Sequence, residues 1–160
     1  MPADFAAPAL RTLQHYLDRC VHLLQRIGGA ANPEDMLSTQ LAPDSFDTGT
    51  HLAIAIQFAA RAAGPPAGVH VPEIPDVLSV PSLLAYQRDI AALVGRITPD
   101  QLCYVVSHTA GDASLTQEPD DYVLRFALPN MIFHMSMAYA ALRVAGLDLG
   151  KADFDGLHEY

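Results

Sequence analysis

Phe126-Ala-Leu-Pro-Asn130-Met-Ile-Phe-His134-Met-Ser-Met-Ala138-Tyr139-Ala-Ala-Leu142-Arg143 is the stretch that decides the fold. On a helical wheel Leu128, Ile132, Met135, Tyr139 and Leu142 form one stripe, and Phe133, Met137 and Val144 occupy the opposite side. A helix apolar almost all round is predicted to be enclosed by other protein, because a solvated helix keeps one polar face. Asn130, His134, Ser136 and Arg143 are its few polar interruptions. A histidine there needs a partner, since an unpaired buried polar group costs about 1–3 kcal/mol. The expectation is a core histidine bonded to a backbone carbonyl or a tyrosine hydroxyl, with metal-ligand and ligand-binding roles as alternatives. Ala138 and Ala141 share its side of the helix, so the imidazole faces either a cavity or a closely packed neighbour.

Working outward, Leu10, Leu13, Leu17, Cys20, Leu24 and Ile27 recur at three- and four-residue steps, which predicts a bundle helix over 5–28. Arg11, His15, Asp18, His22 and Gln25 fall on its far side and read as a solvated surface. Gly28-Gly29 ends it, and Asn32-Pro33 opens a short helix. A second long helix is expected from about 45 to 63, with Leu52, Ile56, Ala59 and Ala63 on one stripe and a thin polar strip of Gln57 and Arg61. His51 sits at the edge of its apolar surface. Residues 64–81 hold five prolines, too many for a helix or a central strand, so an extended connection is expected. A third helix follows over 81–97, with Leu83, Tyr86, Ile90, Leu93, Val94 and Ile97 facing one way.

Leu102, Tyr104 and Val106 then alternate with Cys103, Val105 and Ser107, and Ala110-Gly111-Asp112 supplies turn chemistry, so a small β-hairpin or extended excursion is expected. Pro119-Asp120-Asp121 opens the last helical region. Pro129 interrupts it, which predicts a short helix to Phe126 and a kink or restart at Leu128. Asn130 is expected to satisfy backbone freed by that kink. Arg143 suits the C-terminal end of the helix dipole. Lys151 and Asp153 read as surface residues of a tail.

Composition narrows the functional classes. The 160 residues make one domain, 1–160, able to bury about two-thirds of the surface that the unfolded chain exposes. Hydrophobic residues make up 51% and charged residues 17%, with a net charge of −9. Such a charge argues against nucleic acid and against anionic membrane surfaces. No apolar run approaches the ~20 residues of a bilayer crossing, and the start of the chain has no signal-type core, so a cytoplasmic protein is expected. Two cysteines make no disulfide framework: Cys20 reads as a small buried hydrophobe, and nothing marks Cys103 as a nucleophile.

Leu41-Ala-Pro-Asp-Ser-Phe46 and the longer set Phe126-Ala-Leu-Pro-Asn130, Phe133-His134, Ala138-Tyr139, Leu142-Arg143, Gly150-Lys151 and Asp153-Phe154 resemble the domain-of-unknown-function family DUF1993. That family is a branch of the DinB-like (YfiT-like) bundles. The resemblance implies an all-α four-helix bundle with a small insertion between its third and fourth helices. It also implies dimers and, in many members, a divalent metal held by three histidines, one from the second helix and two spaced H-x-x-x-H on the last. His51 and His134 are the candidate ligands for zinc, nickel or iron, and Asn130 and Tyr139 are candidate pocket residues. Ala138 stands where the second ligand of the last helix would fall, so the triad is incomplete unless Asp44, Asp47 or Tyr139 approaches.

Helices one and three have one apolar side, whereas two and four have two, so a homodimer packed through helix two or four is expected. Two functions stay open. One is a small-molecule-binding or structural homodimer. The other is a metal-dependent enzyme of the S-transferase or hydrolase type acting on a small thiol or related metabolite.

Overall fold

A computed structural model describes residues 4–160; Met1, Pro2 and Ala3, within the segment read above as lacking a signal-type core, lie outside the described residues. Four long helices carry the architecture: α1 (Ala6–Gly28), α3 (Thr48–Ala63), α4 (Val80–Arg96) and α6 (Leu128–Val144). A short α2 (Pro33–Ser38) leads into α3. Strands β1 (Val106–Ala110) and β2 (Ala113–Gln117) form an antiparallel hairpin between α4 and the last helical region. A brief α5 (Pro119–Asp121) precedes that region, and α7 (Lys151–Asp155) follows it. The expected bundle with its small β-hairpin insertion is the fold observed. Among the described residues no helix is long and apolar enough to cross a membrane.

The apolar stripes meet in one core. Leu13, Leu17, Leu24 and Ile27 of α1 close against Leu83, Ile90 and Val94 of α4 and Leu52 and Ile56 of α3, all fully or nearly fully buried. Cys20 lies wholly inside it, and burial pushes its thiol up to about 12, which suits an inert packing residue. Alanines line the α3–α6 seam: Ala55, Ala59, Ala62 and Ala138 have no exposed surface, and small side chains let two helices approach closely.

Helix ends follow local chemistry. The second long helix starts at Thr48, three residues later than the spacing predicts, because the Asp47 carboxylate accepts the Thr50 N–H at 2.7 Å and caps it there. Ser79 and Ser82 exchange hydrogen bonds in a capping box that opens α4 after the proline-rich connection. Gly111 supplies the positive φ, 57°, that the two-residue hairpin turn requires.

Of the expected kink or restart at Leu128, the structure shows α6 beginning at Leu128 with no break in the helical path. Residues Tyr122–Ala127 form a π-helical segment that runs directly into α6, with the Leu128 N–H donating to Val123 O. Proline offers no N–H and crowds the carbonyl four residues earlier, and a widened turn accommodates both without breaking the helix. The Asn130 Nδ2 donates to Phe126 O at 2.8 Å, the backbone role expected of it.

Two expectations are corrected. The last helix is not enclosed within this chain: Phe133 is 54% exposed and Val144 71% exposed, while Met131, Met135, Ala138 and Leu142 face the core. The far side of α1 is not simply solvated either, because the tail folds back over it. The His15 Nε2 contacts Asp155 O at 2.7 Å, and Asp153 receives His22 Nε2 at 2.7 Å and Arg26 Nη1 at 2.8 Å. Asp153, read from the sequence as a surface residue, is therefore the hub that fastens α7 to α1. Arg143 also has a defined role there, donating to Leu149 O at 2.6 Å.

Candidate functional site

The cap at Asp47 sets where α3 begins and therefore where its first turn points. Thr48 is tied to the preceding loop, its N–H and its hydroxyl both donating to Thr39 O, at 2.9 and 3.1 Å. His51 follows within the first turn and is 3% exposed, with its N–H donating to Asp47 O. On the facing helix, the residue added by the π turn rotates everything downstream by about 100° relative to an uninterrupted α-helix. In that register His134 faces α3. The two imidazoles meet directly, Nδ1 to Nδ1 at 2.9 Å. The expected partner for His134 was a carbonyl or a tyrosine hydroxyl; the observed one is another histidine.

Aromatic rings sheathe the pair. Phe46 and Phe133 present edges to His51, at ring-centroid separations of 5.8 and 6.5 Å. Phe58 stacks nearly parallel to His134 at 6.0 Å. Burial lowers the pKa of both histidines, and the neighbouring His51 adds to the effect on His134, which falls to about 4; Asp47 partly opposes the shift at His51. Both rings are therefore neutral near pH 7, so one Nδ1 donates and the other accepts. The enclosed His51 Nε2 has no partner, which decides the direction. Orphaned buried N–H groups are the rarer and costlier kind, so the His51 proton sits on Nδ1 and donates to His134. The remaining proton of His134 then lies on Nε2.

His134 lines a cavity of about 460 Å³. Ile54, Gln57, Phe58 and Arg61 of α3 form one wall, Phe126 and Asn130 the other, and the hairpin turn Thr109–Gly111 covers one end. A second cavity of about 340 Å³ shares Gln57 and Arg61 and continues past Glu73, His108 and Tyr122. The spacing shows Gln57 and Arg61 only as a thin polar strip on their helix, and nothing in it marks His108. The one available signal was their i, i+4 spacing on an otherwise apolar helix; the hairpin that roofs them leaves no mark in that spacing.

The structure brings His51 to His134 and places Asn130 beside His134 on the cavity wall, whereas Tyr139 lies elsewhere. Its ring packs edge-on against Phe154 at 5.7 Å, and its hydroxyl accepts from Arg143 Nη1 at 3.3 Å, beside the tail. Five residues separate Tyr139 from His134, which puts them about 140° apart on the helix. Asp47 spends one carboxylate oxygen on the α3 cap, and Asp44 is exposed.

Zinc, nickel and iron sites built from protein donors use three or four ligands. Among the described residues no group of three or more His, Cys, Asp or Glu side chains could hold a metal ion. Two imidazoles with no third protein donor beside them do not complete a site for a resident divalent cation.

Comparison with known proteins places this geometry in a family. The model of the family described as Domain of unknown function (DUF1993) matches residues 4–155. A crystal structure at 1.83 Å of a DinB family member protein from Shewanella denitrificans is similar over 94% of this chain and 91% of that chain. Its TM-score is 0.78 at 19% sequence identity, a likeness of fold alone. No curated protein matches the sequence.

Proposed function

The chain belongs to the DUF1993 family and has the DinB-type bundle fold, and from that premise we propose that it is a small-molecule-binding homodimer whose ligand occupies the cavity beside His134. The observation that carries this reading is the cavity itself, about 460 Å³, where Phe46, Ile54, Phe58 and Phe126 surround convergent polar groups in Gln57, Arg61, Asn130 and His134. That size and lining are typical of small-molecule sites. His134, neutral and fixed in tautomer by His51, offers an Nε2–H donor whose protonation does not change near pH 7. Asn130 commits its amide N–H to Phe126 O and keeps Oδ1 as an acceptor. The dimer rests on the exposed apolar strip of α6, where Phe133 and Val144 stand on one side.

The metal-dependent thiol enzyme is supported only by the convergence of the two Nδ1 atoms. It lacks a third donor, so the binding reading is preferred. Ligand-observed NMR against a fragment library tests it. Fragments that bind the native protein should lose their signal with Ile54→Trp, which fills the cavity, while the thermal transition stays cooperative. Fragments that bind both proteins equally would place the ligand elsewhere and end this reading.

A further inference from the structure

Arg61 is the feature of this cavity that helix packing does not explain. The chain carries eighteen Asp and Glu against nine Lys and Arg, so a cation has a surplus of possible partners. Arg26 and Arg125 take carboxylates, Asp153 and Asp121. Arg19 and Arg143 donate to the carbonyls of Asp153 and Leu149. Arg11, Arg88, Arg96 and Lys151 also meet no carboxylate among the described residues, but they are exposed, whereas Arg61 is half-buried, lines both cavities and meets none. Its guanidinium lies over the Phe58 ring, 4.5 Å from the centroid, which holds it in place without neutralising it. Its backbone carbonyl is fixed by the Tyr122 hydroxyl at 2.9 Å. Gln57, one turn earlier, donates to Pro72 O at 3.1 Å.

A positioned guanidinium that meets no carboxylate within the chain recognises a planar anion, and a carboxylate matches its fork best. Around it the cavity presents the apolar side chains of Phe46, Ile54, Phe58 and Phe126 beside the uncharged polar groups of Gln57, Asn130 and His134. The two sides of Arg61 differ: the second cavity contains Glu73, whose charge repels an anion there, whereas the first contains no acidic residue. We propose that Arg61 anchors the carboxylate of a small monocarboxylic acid whose aryl or alkyl body lies against Phe58 and Phe126. This deepens the small-molecule reading above and rests on it. The His134 Nε2–H becomes a further donor toward the bound acid.

Isothermal titration with phenylacetate and its uncharged isostere phenylacetamide tests the anchor. The native protein should bind phenylacetate at least tenfold more tightly than the amide. Arg61→Gln should remove that preference, and Arg61→Lys should restore part of it by returning the charge without the fork. Equal affinity of native protein for acid and amide overturns the anchor while leaving a small-molecule cavity in place. An Arg61→Gln protein that keeps full affinity for phenylacetate overturns it in the same way. Should neither compound bind, the anchor falls, and the fragment screen decides separately whether the cavity binds anything. The acid-to-amide ratio on native protein keeps the proposal open to refutation even if Arg61→Gln folds poorly.

Discussion

His51 of α3 and His134 of α6 donate and accept one hydrogen bond between their Nδ1 atoms, 2.9 Å apart, across a helix seam otherwise lined by alanine and phenylalanine. The bond joins the N-terminal turn of one helix to the first turns of another, so ring orientation and helix docking depend on each other. Losing one ring leaves the other as a buried unpaired group, which costs about 1–3 kcal/mol. His51→Ala should therefore destabilise the protein by about 2–4 kcal/mol, the unpaired ring adding to the packing lost at a fully buried site. His51→Asn retains a polar group and should cost less. Chemical denaturation of the two variants measures the order; an alanine variant as stable as native would mean the ring-to-ring bond contributes nothing.

The sign of the pH response follows from the same pair. Burial holds the His134 pKa near 4, below its ordinary value of 6.5, and shifts His51 in the same direction. Between those values the unfolded chain binds a proton that the folded one refuses, so stability falls as pH drops through 6.5 toward 4. Above 6.5 neither state is protonated there and the contribution is flat. His134 is only partly shielded, so the difference at pH 5 is about 1 kcal/mol once solvent screening is allowed for. The melting temperature of native protein should drop more between pH 7.5 and pH 5 than that of His134→Gln. Identical drops would mean that the ring is protonated in the folded state.

How much of this was legible depended on distance along the chain. The stripes of α1 and α4, the hairpin turn at Gly111 and the short helix opened by Pro33 are each written within a few residues of one another, and each lies where the spacing placed it. His51 and His134 could be singled out one at a time, because each interrupts an apolar helix. Their bond could not be, because its geometry comes from the Asp47 cap on one side and the π turn on the other. Tyr139, a candidate pocket residue, lies five residues from His134, a separation that turns it to another side of the helix. The His22–Asp153 contact spans 131 residues and joins two segments that each read as surface.

That contact makes the tail part of the fold. Although burial opposes it, the Gly150 N–H, His22 and Arg26 hold the Asp153 carboxyl below the usual carboxylate range. Asp153→Ala should free residues 148–155 from α1 and cost about 1 kcal/mol, the modest value expected of half-exposed ion pairs. Hydrogen exchange should rise in α7 and leave the α3–α6 seam unchanged. Rapid exchange confined to the seam would show that Asp153 supports the core rather than the strap.

Metal removal separates the two functional readings. A bundle whose histidines bond each other gains nothing from a divalent ion, whereas a ligand that binds only the folded state stabilises it by mass action. Untagged protein purified without chelators should contain well under one equivalent of zinc, nickel or iron. Its melting temperature should not change on addition of EDTA or of any of the three ions. Near-stoichiometric metal that disappears with His134→Ala would return the chain to the metal-enzyme reading.

The open side of α6 remains to be covered. Phe133 and Val144 lie on the face turned away from Met131 and Met135, and an apolar strip of this kind on a helix that buries its other side is the usual mark of association. A symmetric dimer would set the same strip of each copy against the other, since an isologous contact uses one patch twice. Light scattering coupled to size exclusion should then give twice the 17.2 kDa of one chain at micromolar concentration. Val144→Glu, which places a charge on that strip at its most exposed residue and away from the histidine pair, should halve the measured mass without unfolding the bundle. Native protein running as a single 17.2 kDa species under those conditions would remove the dimer, and the strip would need another occupant.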